Sequence, residues 1–66
     1  MKFKVLDPVV VTIDVPDAGI SKGDVGTVVE VHEKGGLEVE VVDAEGETIG
    51  VVTVLANQVR PASGAG

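Results

Sequence analysis

The stretch Leu37-Glu38-Val39-Glu40-Val41 decides the fold class. Apolar residues at 37, 39 and 41 alternate with carboxylates at 38 and 40, the period of a strand with one face buried and the other in water. Before it, Glu33-Lys34-Gly35-Gly36 reads as a turn, because two glycines make positive φ available without a Cβ clash. Residues 25–32 then form the preceding strand, with Val29 and Val31 inward and Val28 at least partly covered. After it, Asp43-Ala44-Glu45-Gly46 fits a type I hairpin turn with Gly46 left-handed beside a bulge. A fourth strand follows over residues 47–54, apolar on both faces and interrupted by Gly50, as expected where a sheet bends sharply.

Working outward, residues 8–13 carry a first strand in which Val9, Val11 and Ile13 share a phase. Phe3 and Val5 either extend it or close the floor of the fold. Residues 14–22 hold Pro16, Gly19 and two aspartates, with Val15 and Ile20 as the large apolar residues, and read as a long exposed loop of the kind that often carries function. Leu55-Ala56-Asn57-Gln58 is a short turn into a brief last strand at Val59 and Arg60, stopped by Pro61. The expectation is an all-β, small five-stranded barrel over residues 1–61, with 62–66 a disordered tail. Its expected core is Val9, Val11, Val29, Val31, Leu37, Val39, Val41, Val52 and Val59.

Composition agrees with this reading and narrows the function. Valine fills about a quarter of the 66 positions, and its branched Cβ favours the pleated strand. Aromatic residues make up only 2%, so the core is aliphatic. A chain of this size forms one small domain without room for a deep enzyme pocket. No cysteine is present, which excludes a disulfide framework, a thiolate nucleophile and a cysteine-based zinc site. The net charge of −6 opposes binding to phosphate backbones or anionic membranes and favours a basic partner or simple solubility. With no span-length apolar run and no signal-like start, the chain is expected to be soluble and cytoplasmic.

The order of strands and loops resembles an SH3-like barrel. Lys22-Gly23-Asp24-Val25, followed by Val28, Val29 and Glu30, resembles the divergent turn of that fold, and Leu55-Ala56-Asn57-Gln58-Val59 its terminal helical turn. In the signalling members an aromatic groove binds proline-rich peptides. Here Gln58 stands where the last groove tyrosine would be and the groove tryptophan is missing, so that ligand does not carry over.

A closer resemblance is to a family of short bacterial proteins known as a domain of unknown function. It rests on Val15-Pro16-Asp17-Ala18-Gly19-Ile20, on the segment from Lys22 to Glu30, and on Glu38-Val39-Glu40-Val41-Val42-Asp43 with Gly46-Glu47-Thr48. Where such relatives often carry aromatics on the third strand, this chain has Leu37 and Val41. The resemblance implies a stand-alone SH3-like module acting as a partner protein, such as an antitoxin. Lys22-Gly23-Asp24-Val25-Gly26-Thr27-Val28 also resembles part of a KOW motif. Phosphate contacts need Lys or Arg, however, and the chain offers five against eleven acids, so no nucleic-acid partner is expected.

The candidate site residues are acidic. His32 is the lone imidazole and reads as a solvated strand-end residue, and neither Ser21 nor Ser63 has a histidine–acid constellation, so no catalytic residue is expected. Glu38 and Glu40 share the outer face of their strand, with Glu30 expected across from them. Such a face either protects a sheet from edge-to-edge aggregation or meets a basic protein. The leading expectation is a non-enzymatic, acidic protein-interaction module, an antitoxin-like partner of a basic protein. It would bind through Asp14, Asp17, Glu30, Glu38 and Glu40, with no cofactor, no metal and no membrane. The alternatives are a Ca2+ binder using Asp43, Glu45 and Glu47, and a structural or engineered scaffold without ligand.

Overall fold

The computed structural model describes residues 2–62. Five strands, β1 (Pro8–Val11), β2 (Val25–Val31), β3 (Gly36–Val42), β4 (Thr48–Leu55) and β5 (Val59–Pro61), form one antiparallel sheet in the order β4-β3-β2-β1-β5. The only helical pieces among the described residues are two single 3-10 turns, Pro16–Ala18 and Ala56–Gln58. The fold is therefore all-β, as expected. The ladder ends at β4 and β5, which the Ala56–Gln58 turn joins in sequence. No helix among the described residues is long and apolar enough to cross a membrane. At the C-terminal end Ala62 N–H donates to the Pro8 carbonyl, and residues 63–66 of the expected tail lie outside the described residues.

Strand β3 has the alternation that its sequence dictates: Leu37, Val39 and Val41 are buried, and Glu38 and Glu40 lie on the other face. Its neighbour β2 departs from the expected phase. Val28 pairs with Val39, but Glu30 pairs with Glu38, so Val29 is an extra residue with no partner. This is a β-bulge, and it inverts the alternation within the strand. Gly26 and Val28 face inward before the bulge, and Val31 shares the inward row of Leu37 after it.

The expectation for β2 is thus corrected. Val28 is fully buried, whereas Val29 is 40% exposed. Val31 has the inward phase but is also exposed, because it lines an open groove with Phe3, Leu37 and Ala56 at the end of the sheet. The backbone groups of Val28 are satisfied on the side away from β3: its N–H donates to Asp7 O and its carbonyl accepts from Leu6 N–H. The N-terminal segment thereby clamps the bulge.

A second register shift lies in β4, where Val41 pairs with Gly50 and Val42 with Thr48, leaving Ile49 as the extra residue. A bulge therefore lies beside Gly50, where a bend is expected. The turn at 43–46 also has the expected form, with Gly46 at φ 83° and its N–H donating to Asp43 O.

The loop at 14–22 is largely exposed, as its composition suggests, but it is folded on itself and anchored in the core by one residue. Val15 and Ile20 bond reciprocally through their backbones, Asp14 Oδ1 accepts from Lys22 N–H, and Ile20 is buried to 1% exposure. Ile20 joins Val9, Val11, Val28, Leu37, Val39, Val41, Val54 and Val59 in the core, while Phe3, Ile13, Val15, Ile49 and Val52 pack around it. Val52, expected in the core, is half-buried, and Val54 takes the more buried position.

Close strand packing rests on Gly26. A Cβ built there would lie 2.6 Å from Val39 Cγ1 and 2.7 Å from Glu40 O, inside contact distance of a core side chain and of backbone. Gly26→Ala is expected to destabilise the protein by about 1–3 kcal/mol, since the neighbouring backbone cannot rotate away as a side-chain tip would; urea unfolding measures this. The bulge register is tested by a matched pair. Val28→Thr buries a hydroxyl among aliphatic groups and should cost about 1–3 kcal/mol, whereas Val29→Thr should stay within about 0.5 kcal/mol. The reverse order would place Val29 inside.

Candidate functional site: a carboxylate face with one imidazole

The two outward residues of β3 organise the site. Glu38 lies between Glu30 on β2 and Thr53 on β4, and Glu40 lies between Thr27 and Val51. Glu30 reaches this face because of the bulge at Val29; an uninterrupted β2 would place residues 28 and 30 on the same side. Beyond the bulge the chain continues to His32, whose N–H donates to Gly36 O at the mouth of the β2–β3 turn. This backbone bond holds the ring above the same face.

The imidazole sits between two carboxylates. Nε2 lies 3.0 Å from Glu38 Oε2, and Nδ1 lies 3.9 Å from Glu30 Oε2. The hydroxyl of Thr53 also approaches Glu38 Oε2, at 3.4 Å, and the Thr48 hydroxyl donates to Glu40. Burial is graded: the side chain of Glu30 is 64% exposed, His32 41% and Glu38 32%. Among the described residues these two histidine contacts are the only ones within ion-pair distance of a carboxylate, and no Lys or Arg side chain pairs with one. Glu30 and Glu38 are thus like charges directly opposite each other on adjacent strands, an arrangement that lowers stability by a few tenths to about 1 kcal/mol.

The other acidic positions serve different ends. Asp14 is exposed and closes the base of its loop through the Lys22 bond, while Asp17 is exposed in the Pro16–Ala18 turn. That turn sits over β4 on the core side, since the Ala18 carbonyl lies 3.8 Å from a Cβ built on Gly50, and Gly50 pairs with the inward Val41. The structure therefore brings Glu30, Glu38 and Glu40 together on one face and places Asp14 and Asp17 in a separate loop. In the turn at 43–47, Asp43 Oδ1 accepts from both Glu45 N–H and Glu47 N–H, so one of its oxygens is committed to holding the turn. The proximity of His32 to Glu38 was missed from sequence. Its only signal was the separation of 32 and 38 across a short glycine turn, which makes them near neighbours in a hairpin.

Introducing a positive charge at residue 30 should relieve the repulsion. Glu30→Lys places opposite charges across the pair with Glu38 and is expected to stabilise the fold by about 0.2–1 kcal/mol, seen as a higher urea midpoint at low salt. An unchanged or lower midpoint would mean that the two carboxylates do not repel across the strands.

No curated protein and no solved structure matches the chain. One family model does match, over residues 5–61, spanning all five strands and both 3-10 turns. On that match the chain belongs to the family described as a domain of unknown function (DUF4926).

Proposed function

We propose that the chain is a non-enzymatic, SH3-like interaction module that engages a basic protein through the face formed by Glu30, Glu38 and Glu40. The observation that carries this reading is the absence of Lys or Arg pairing for these carboxylates among the described residues, although the sequence holds five such cations. A face whose negative charge is not neutralised internally projects its field outward. Such a field attracts a positively charged surface and accelerates its encounter with the module. The SH3-like part of the proposal is supported by the strand order, the long folded loop between β1 and β2, and the single 3-10 turn before the last strand. An antitoxin-like role, in which the module caps a basic protein, is one form of this function.

The sheet supplies what such a surface needs. Side chains on neighbouring strands stand about 5 Å apart, so the three carboxylates form a compact patch on rigid elements. The long-range part of their attraction is screened as the Debye length falls, from about 10 Å at 0.1 M salt to about 3 Å at 1 M. Association should therefore weaken with salt mainly through its on-rate.

The test is charge reversal. With a partner purified from native extract, the double variant Glu38→Lys/Glu40→Lys is expected to lower the association rate constant by about tenfold or more at low salt. The fold should be unchanged, since neither side chain belongs to the core. Stopped-flow or surface-binding kinetics give the rate, and amide spectra check the fold. Equal on-rates for variant and parent at low salt would transfer the contact to the loop of Asp14 and Asp17. The carboxylates of β3 would then be left with solubility alone.

A further inference from the structure

We infer that Glu30, His32 and Glu38 form a binding site for a borderline divalent transition-metal ion, with Zn2+ as its representative. One nitrogen of His32 and one oxygen from each carboxylate lie within 4.8 Å of one another, the only such group of three among the described residues. Two ligand atoms on a tetrahedral zinc at bond lengths of about 2.1 Å stand roughly 3.4 Å apart. The His32 Nε2 to Glu38 Oε2 distance of 3.0 Å is already close to that value. With the three ligand atoms within 4.8 Å of one another, Glu30 has to close by up to about 1.4 Å, and its exposed side chain is free to rotate by that much.

The donor set selects the ion. Oxygen alone suits Ca2+ or Mg2+, whereas an imidazole nitrogen with carboxylates suits Zn2+ and its neighbours in the transition series. The two parts of the site differ in rigidity. His32 and Glu38 are half-buried and held by the β2–β3 hairpin, and Thr53 supports Glu38 from β4, as outer partners commonly steady a metal ligand. Glu30 completes the set from the bulged strand. Three protein ligands at a partly exposed surface leave at least one coordination position to water.

Electrostatics favours occupancy. Glu30 and Glu38 face each other as like charges, and a divalent cation between them converts that repulsion into attraction. The arrangement also has an explanation without metal, in which a protonated His32 alone bridges the two carboxylates. The two explanations differ in what they predict for added Zn2+. The inference does not depend on the basic partner proposed above, because the experiment uses the isolated chain.

Zn2+ titrated into the tag-free protein in a non-chelating buffer, followed by calorimetry and by the imidazole NMR signals, reads the site directly. The sequence contains one histidine and no cysteine, so every imidazole signal belongs to His32. Saturable one-to-one binding at sub-millimolar Zn2+ is expected, with the His32 ring signals shifting in step. His32→Asn and Glu38→Gln should each weaken binding by about tenfold or more, Glu30→Gln should weaken it severalfold, and Asp43→Asn should leave it unchanged. Amide spectra without metal verify that each variant is folded. Ring signals unmoved by 1 mM Zn2+ would overturn the inference. So would undiminished affinity in His32→Asn, equal affinity of the parent, Glu30→Gln and Glu38→Gln proteins, or Ca2+ shifting the ring signals as Zn2+ does.

Discussion

The rest of the structure depends on one unpaired residue, Val29. A strand that alternates without interruption would send residues 28 and 30 to the same side, forcing a choice between burying Glu30 and exposing Val28. The bulge removes the conflict: Val28 reaches the core opposite Val39, and Glu30 turns outward opposite Glu38. The irregularity is tolerated because Leu6 and Asp7 satisfy the backbone groups of Val28 from the other side. The conformation of the N-terminal segment, the make-up of the core and the position of the carboxylate face are thus three consequences of the same inserted residue.

An aliphatic core built largely of valine imposes close approach. Valine is short, so the strands must sit near one another for side chains to touch, and bare Gly26 is what lets β2 meet Val39 and the backbone of β3. The same need explains the folding of the first long loop. Its reciprocal Val15–Ile20 bonds bring the larger Ile20 side chain into a core that has few bulky groups. A segment rich in turn residues is in this way recruited into packing, and its Asp14 ends up closing the loop instead of extending the acidic face.

On the outer face the arrangement joins stability to interaction. Carboxylates on adjacent strands raise the free energy of the fold slightly, and the one imidazole among them offsets part of that cost where it stands. Glu40, which lies beyond the reach of His32's two contacts, is met by a neutral threonine hydroxyl. The resulting surface is negative, rigid and graded, with a nitrogen donor at one end and carboxylates alone at the other. Binding of a cation or of a basic surface would both act on this same imbalance.

How much of this was legible can be argued residue by residue. The phase of β3 was readable because Leu37 to Val41 alternate without a break, and with it came the outward direction of Glu38 and Glu40. The two glycine turns and the short last strand were readable because their backbone demands are local. The phase of β2 was not, since Val28, Val29 and Val31 are chemically alike and only the pairing with β3 and the clamp from Leu6 and Asp7 decide which of them is extra. Nor was the burial of Ile20, which needs a core waiting at the base of its loop. The association of Glu30, His32 and Glu38 depends on that undetermined register, so the sequence by itself determined an all-β chain with an acidic strand face. The tertiary structure decided which residues share that face, because a one-residue insertion costs little locally and reverses every side chain beyond it.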